Sequence, residues 1–285
     1  MKFNLSDMLS PLNQTEINFE SVKANHNNPK ARRICFKTTH KNSLKASKNP
    51  NYVGTFNVPF YNTIGPIFKD MTKLDLFPAK QFDNWWRSIR SQNEFDEIEK
   101  FIHKVRPLVF LRDTLALSIS ISELREESER TAIGELEYRA KYKNDDRSFE
   151  KLCKICVHSI TNLPYYKETD VICAVPANKG ESNLPMKIAN NIDSILGIEN
   201  ITGSISWGNT KPPLKGLHIN KKWPALEESN LIINKELIDR TVLILDDLYQ
   251  SGLTLQYVAS KIQKAGAKYI LGITLVKSQC DTDNV

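Results

Sequence analysis

The sequence predicts an α/β protein. An N-terminal α+β region is expected to about residue 125 (1–125), followed by a domain (126–285) built on a mainly parallel sheet with flanking helices. Three observations carry this. After about residue 125, helix-like and strand-like stretches alternate, as they do in βα units. The run "RTVLILDD" (240–247) is continuously apolar, which suits a strand covered on both faces of a parallel sheet. Upstream of the change, residues 1–50 are polar and Asn/Lys/Ser-rich, and 52–68 mixes aromatic and β-branched residues with Pro and Gly.

Taken in order, "RRICFKT" (32–38) reads as the strand of the polar leader, and 52–68 as short strands broken by turns. Residues 78–105 read as helix with a break near Ser91-Gln92-Asn93, because Phe95, Ile98, Phe101, Ile102 and Val105 recur at helical spacing. "PLVFLRDTLALSISIS" (107–122) is β-rich, and 122–142 is charged and helix-prone. In the C-terminal half, 146–160 is an amphipathic helix with Phe149, Leu152, Cys153, Cys156 and Ile160 on one face. Strands are expected at 170–176, 201–207, 240–247 and 269–278. Helices are expected at 181–196 beyond Pro185 and at 253–267, the latter stopped by Gly266.

Composition excludes several classes. With 40% hydrophobic and 25% charged residues, the 285-residue chain has an ordinary globular balance. No apolar run approaches the roughly 18 residues of a membrane span, and the N-terminus shows no signal-peptide pattern. The five scattered cysteines fit reduced thiols in a cytoplasm better than a disulfide framework. Residues 1–50 hold nine Lys/Arg against three acids, which equals the +6 charge of the whole protein. That concentration suggests either an arm for nucleic acid or another polyanionic or protein partner, or a solvated, partly disordered leader. A homodimer is among the assemblies the chain admits. Cys153-Lys-Ile-Cys156 with His158 has zinc-like spacing but no second ligand pair, and both thiols fall in the apolar stripe, so core packing is the favoured reading. No dinucleotide or Walker-type glycine run is present.

The chemistry concentrates at "LILDDLYQSGLT" (243–254). Ligands of open parallel sheets sit off the carboxyl ends of the strands, where Asp246 and Asp247 fall. A small, hydroxyl-bearing turn leading into a helix offers backbone N–H groups and the positive end of the helix dipole to a phosphate monoester. The two carboxylates, one turn earlier, suit the vicinal hydroxyls of a ribose.

These residues resemble the signature of the type I phosphoribosyltransferase family, and the fold that follows is a Rossmann-like, type I phosphoribosyltransferase-like sheet. The resemblance implies that Asp246 and Asp247 bind the ribose hydroxyls of phosphoribosyl pyrophosphate, and that Tyr249, Gln250, Ser251, Gly252, Leu253 and Thr254 cradle its 5′-phosphate. Gln250 departs from the Thr of many members. "DVICAVPANKG" (170–180) is similar to the pyrophosphate loop of ComF-like members, which implies that Lys179 faces pyrophosphate with backbone N–H groups around Ala177, Asn178 and Gly180. Residues 210–233 resemble the flexible loop that closes over the site, with Lys211, Lys215, Lys221 and Lys222 as candidate cations. "ELEYRAKYKNDDRSFEKL" resembles the ComF segment in which a basic "LKY" precedes the first helix.

The implied cofactor is magnesium, reached by Asp246 and Asp247 indirectly through substrate oxygens. The implied activity is phosphoribosyl transfer, a glycosyltransferase reaction, on phosphoribosyl pyrophosphate or a nucleotide. Any base-recognising hood is expected from the N-terminal region, where Trp85, Trp86, Phe56, Phe60 and Tyr61 are candidate stacking surface, with core packing the favoured reading. Two rivals stand beside it: a non-catalytic nucleotide-sensing regulator, and a nucleic-acid-associated effector of a toxin or phage-defence system.

Overall fold

The computed structural model describes residues 12–79, 84–178, 181–214 and 216–280. Its helices are α1 (Phe19–Asn27), α2 (Ile64–Thr72), α3 (Gln92–Val105), α4 (Ala132–Tyr142), α5 (Asp146–Asn162), α6 (Leu184–Leu196), α7 (Ile219–Glu228) and α8 (Leu253–Lys264). Its strands are β1 (Arg33–Ile34), β2 (Leu44–Ala46), β3 (Gly54–Val58), β4 (Phe77–Ala79), β5 (Asn84–Ile89), β6 (Val109–Leu111), β7 (Leu117–Glu123), β8 (Arg125–Glu126), β9 (Glu129–Arg130), β10 (Val171–Ala174), β11 (Glu199–Asn200), β12 (Ile205–Trp207), β13 (Leu231–Ile233), β14 (Thr241–Tyr249) and β15 (Tyr269–Lys277).

A seven-stranded sheet in the order β1-β6-β7-β15-β14-β10-β11 forms the centre. The pairs from β7 to β11 are parallel, and the two at the β1 edge are antiparallel. The α/β class with a mainly parallel sheet is therefore as expected. The continuous apolar run of β14 has the anticipated cause. Leu243 and Leu245 pack into one core with α5 and α6 residues such as Leu152, Cys156, Ile188 and Ile192. Val242 and Ile244 pack into a second core with Val258, Ala259 and Ile262 of α8. Cys153 and Cys156 are both buried in the first core, and burial raises their thiols well above the ordinary range.

The sheet draws strands from both sides of residue 125, since β1, β6 and β7 join strands of the C-terminal half. Residues 12–50 are also tied down. Arg112, 5% exposed, donates to the carbonyls of Asn25, Asn28, Lys30 and Ala31. Gln14 Oε1 accepts the Ala116 and Ile270 N–H groups, and Phe19 of α1 lies 5.8 Å from the Trp223 ring. The described part of the leader is thus anchored helix and strand rather than a solvated tail.

A second, four-stranded antiparallel sheet, β2-β3-β5-β4, packs against α2 and α3 over an aromatic core of Phe36, Phe56, Phe68 and Phe101. Here local expectation gives way to tertiary context. Residues 84–89, expected within a helix, form β5 because Trp85 and Ile89 pair in register with Val58 and Gly54. Residues 64–68, expected as strand and turn, open α2, whose Ile64, Ile67 and Phe68 are fully buried. Phe56 and Phe60 are core as favoured, Trp85 and Tyr61 are half-buried with rings 4.4 Å apart, and Trp86 is exposed. Residues 219–233, expected within a flexible loop, form α7 and β13, held by Trp223, Leu226 and Leu231 in the second core.

Candidate functional site

β10 pairs with β14 as far as Ala174 and Leu245, and there β10 ends. β14 continues alongside β15 through Tyr249, two residues past the expected strand end. Asp246 and Asp247 therefore sit at the exposed carboxyl mouth of the parallel sheet. Both are half-buried. The Asp247 N–H donates to Asp246 Oδ1 at 2.9 Å, locking the pair together.

The acid pair does not stand alone. Lys141, in the last turn of α4, places Nζ 2.6 Å from Asp247 Oδ2 and 3.8 Å from Glu137 Oε1. Thr131 caps α4 by accepting the Gly134 N–H, and the helix packs on β7 and β15, which aims its C-terminal turn at the mouth. Burial, then the neighbouring Asp247 charge, hold the Asp246 carboxyl well above the ordinary carboxylate range. The Asp247 N–H, Lys211 and Lys141 act in the opposite sense. For Lys141, burial opposes its charge, but the charge and hydrogen bond of Asp247 outweigh it and raise the ammonium.

The β10–α6 loop runs past the same mouth. Val175 N–H donates to Leu245 O, Trp207 Nε1 donates to Pro176 O at 3.0 Å, and Asn178 Oδ1 accepts the Lys211 N–H at 3.1 Å. Asn183 caps α6 through Met186 N–H and donates to Val175 O. Asn178 and Lys211, predicted as separate features, are thus joined directly, and the Lys211 ammonium lies 5.5 Å over the Trp207 ring. Ala177 is half-buried beside them. Lys179, Gly180 and Lys215 lie outside the described residues. Lys221 is exposed on the first turn of α7, and no described contact joins it to the acids. Lys222, on the same turn, is buried.

The 249–254 turn divides by role. Tyr249 ends β14 with its ring buried, and its hydroxyl donates to Asp113 Oδ2 at 3.0 Å, so its side chain braces the turn from below instead of lining it. Gln250 is half-buried, Ser251 is buried and Thr254 half-buried, while the Leu253 side chain enters the second core. Gly252 adopts φ 72°, and a Cβ there would meet Tyr249 Cζ at 2.2 Å. Among the described residues, the backbone N–H groups of Ser251, Gly252, Leu253 and Thr254 donate to no recorded acceptor, as expected at a helix start.

Three residues that sequence reasoning did not single out complete this support. Asp113 accepts the Leu115 N–H and the Tyr249 hydroxyl, and burial pushes its carboxyl up to about 6. Gln256 accepts from Thr114 N and Oγ1 and donates to Gly252 O at 3.3 Å. Lys141 is the third. Gln256 had a local signal, a polar residue in an otherwise apolar helix stripe, and Asp113 another, an acid between two apolar runs.

Among the described residues no group of three or more His, Cys, Asp or Glu side chains forms a metal cage. With Asp247 Oδ2 engaged by Lys141, the acid pair offers few direct ligands to a cation, and magnesium is an ion that commonly keeps few protein ligands. A cavity of about 690 Å³ elsewhere, lined by Lys41, Lys100 and Arg106 among others, includes neither acid.

No protein-family model matches the chain, and no curated protein matches it. Among solved structures the chain is similar to a purine phosphoribosyltransferase from Pyrococcus horikoshii Ot3, at 20% identity and TM-score 0.29, over 48% of this chain and 75% of that one. A likeness at that distance carries no functional conclusion, which rests instead on the residues.

Proposed function

We propose that this protein binds phosphoribosyl pyrophosphate, or a nucleotide through its ribose 5′-phosphate, in the manner of a type I phosphoribosyltransferase, and transfers or removes the ribosyl-phosphate group. One observation carries the reading: an acid pair at the sheet mouth, followed directly by an open helix N-terminus at Gly252. The acids suit a diol, and the N–H groups of residues 251–254 suit a phosphate.

In this reading Asp246 and Asp247 accept from the ribose hydroxyls, and the 251–254 amides hold the 5′-phosphate, with Tyr249 fixing the turn. Lys211 stands on the side of Asp246 and supports the leaving pyrophosphate, together with the sequence-assigned Lys179 and Lys215. Trp207 and the Asn178 bridge keep Lys211 in place. Magnesium, when bound, would neutralise pyrophosphate charge, with Asp246 and Asp247 reaching it through substrate oxygens. The chain's own contribution is positioning and electrostatic stabilisation of a leaving anion.

Calorimetry with phosphoribosyl pyrophosphate and magnesium tests this. Wild type should bind, and Asp246→Asn/Asp247→Asn should weaken binding by tenfold or more, on the order of 1.4 kcal/mol, with circular dichroism unchanged. Absence of binding to wild type, or equal binding by the variant, sinks the proposal. Pyrophosphate release with a panel of nucleobases then separates a transferase from a sensor that binds without turnover.

A further inference from the structure

The four-stranded sheet leaves one face to solvent. Along β3 and β5, Phe56, Val58 and Ile89 turn into the core, so strand alternation turns Thr55, Asn57, Trp86 and Ser88 outward. Phe77 of β4 lies in register with Trp86, and Trp86 with Asn57 of β3. Residues directly opposite share a face. Trp86 is 40% exposed and Phe77 53%, so two aromatic side chains stand side by side across neighbouring strands in solvent.

This aromatic pair adjoins a basic groove. A cavity of about 400 Å³ is lined by Asn57 and Asn84 of the same face and by Lys41 and Lys45. Lys41 also lines the cavity of about 690 Å³ that holds Lys100 and Arg106. Across both, four Lys/Arg face a single carboxylate, Glu99. Lys100 pairs with Glu97 at 2.9 Å, whereas Lys41, Lys45 and Arg106 form no ion pair among the described residues. Asn84, which lines the cavity of about 400 Å³, has a buried Oδ1 without a hydrogen-bond partner among the described residues.

Exposed aromatics stack on the π-face of an unpaired base, and unpaired cations attract its phosphates. We propose that this face binds a single-stranded nucleic acid, with bases stacked on Trp86 and Phe77 and backbone phosphates along Lys41 and Lys45. Lys45 lies two strands from Trp86, roughly 10 Å across the sheet, which places base and backbone contacts side by side. A duplex, whose bases are already stacked, gains nothing from the aromatic pair. The surface shares no residue with the Asp246–Asp247 site and does not depend on the reading of that site.

Fluorescence anisotropy with labelled single-stranded DNA, the matching RNA, the DNA duplex and heparin tests it. The single strand should bind more tightly than duplex or heparin, and the better of DNA and RNA assigns the sugar. Trp86→Ala with Phe77→Ala should weaken single-strand binding by roughly tenfold or more at an unchanged salt slope. Lys41→Ala with Lys45→Ala should weaken binding and flatten the slope. All four positions are solvent-facing, and an unchanged Tm checks that the variants fold. No binding of either strand at low salt, duplex or heparin bound equally well, or aromatic variants binding as wild type would each overturn the proposal.

Discussion

Lys141 Nζ sits 2.6 Å from Asp247 Oδ2, so a helix more than a hundred residues upstream supplies the counter-ion for the acid pair at the sheet mouth. The pair is partly buried, with side-chain exposures of 31% and 14%. Two adjacent carboxylates repel each other in such a setting, and the ammonium beside them offsets that repulsion.

Lys141→Met should therefore destabilise the protein, by about 2 kcal/mol at pH 8. The Asp246 carboxyl is already raised by burial and by Asp247. A raised carboxyl contributes stability present below its unfolded value and lost as pH rises through its folded value. Removing the cation raises it further, so the deficit of the variant should grow from pH 5 to pH 8. Urea denaturation at both pH values measures this, and an equal deficit at each would show that Lys141 contributes only packing.

Asp113 gives a second pH dependence. Burial raises its carboxyl from 3.8 to about 6. Its stability contribution is complete below pH 3.8 and is lost as pH rises through about 6. The difference is worth about 3 kcal/mol. Asp113→Asn should flatten the stability profile between pH 4 and 7 relative to wild type. A profile as steep as that of wild type would assign the dependence to another group.

Gly252 and Tyr249 should be coupled. A methyl at residue 252 would collide with a Tyr249 ring that Asp113 anchors, and φ 72° strains any side chain there. Gly252→Ala should cost about 1–3 kcal/mol. Tyr249→Ala clears the ring, so its cost in the Gly252→Ala background should be smaller than in wild type, as a double-mutant cycle reads directly. Strict additivity would place the two residues out of contact.

The C-terminal half was legible because its signals are local. Residues 242–245 of β14 are apolar since two cores cover them, and the acid pair and glycine turn follow by residue 252. The N-terminal region was less legible. "NWWRSI" became β5 through pairing with β3 and β4, and "IGPIFKD" became α2 through burial of Ile64, Ile67 and Phe68. α7 was hidden by the Pro-rich stretch before it and by Pro224 within it.

The sequence by itself determined the parallel-sheet class and the position of the acid pair ahead of its turn, because hydrophobic period and turn chemistry act between near neighbours. Only the tertiary structure decided that Lys141 pairs with Asp247, that Asp113 anchors Tyr249 and Thr114 anchors Gln256 beneath the turn, and that Trp86 faces solvent instead of core. Those relations join residues distant in the chain, and they exist only once packing has brought the charges and hydrogen-bonding groups within reach of each other.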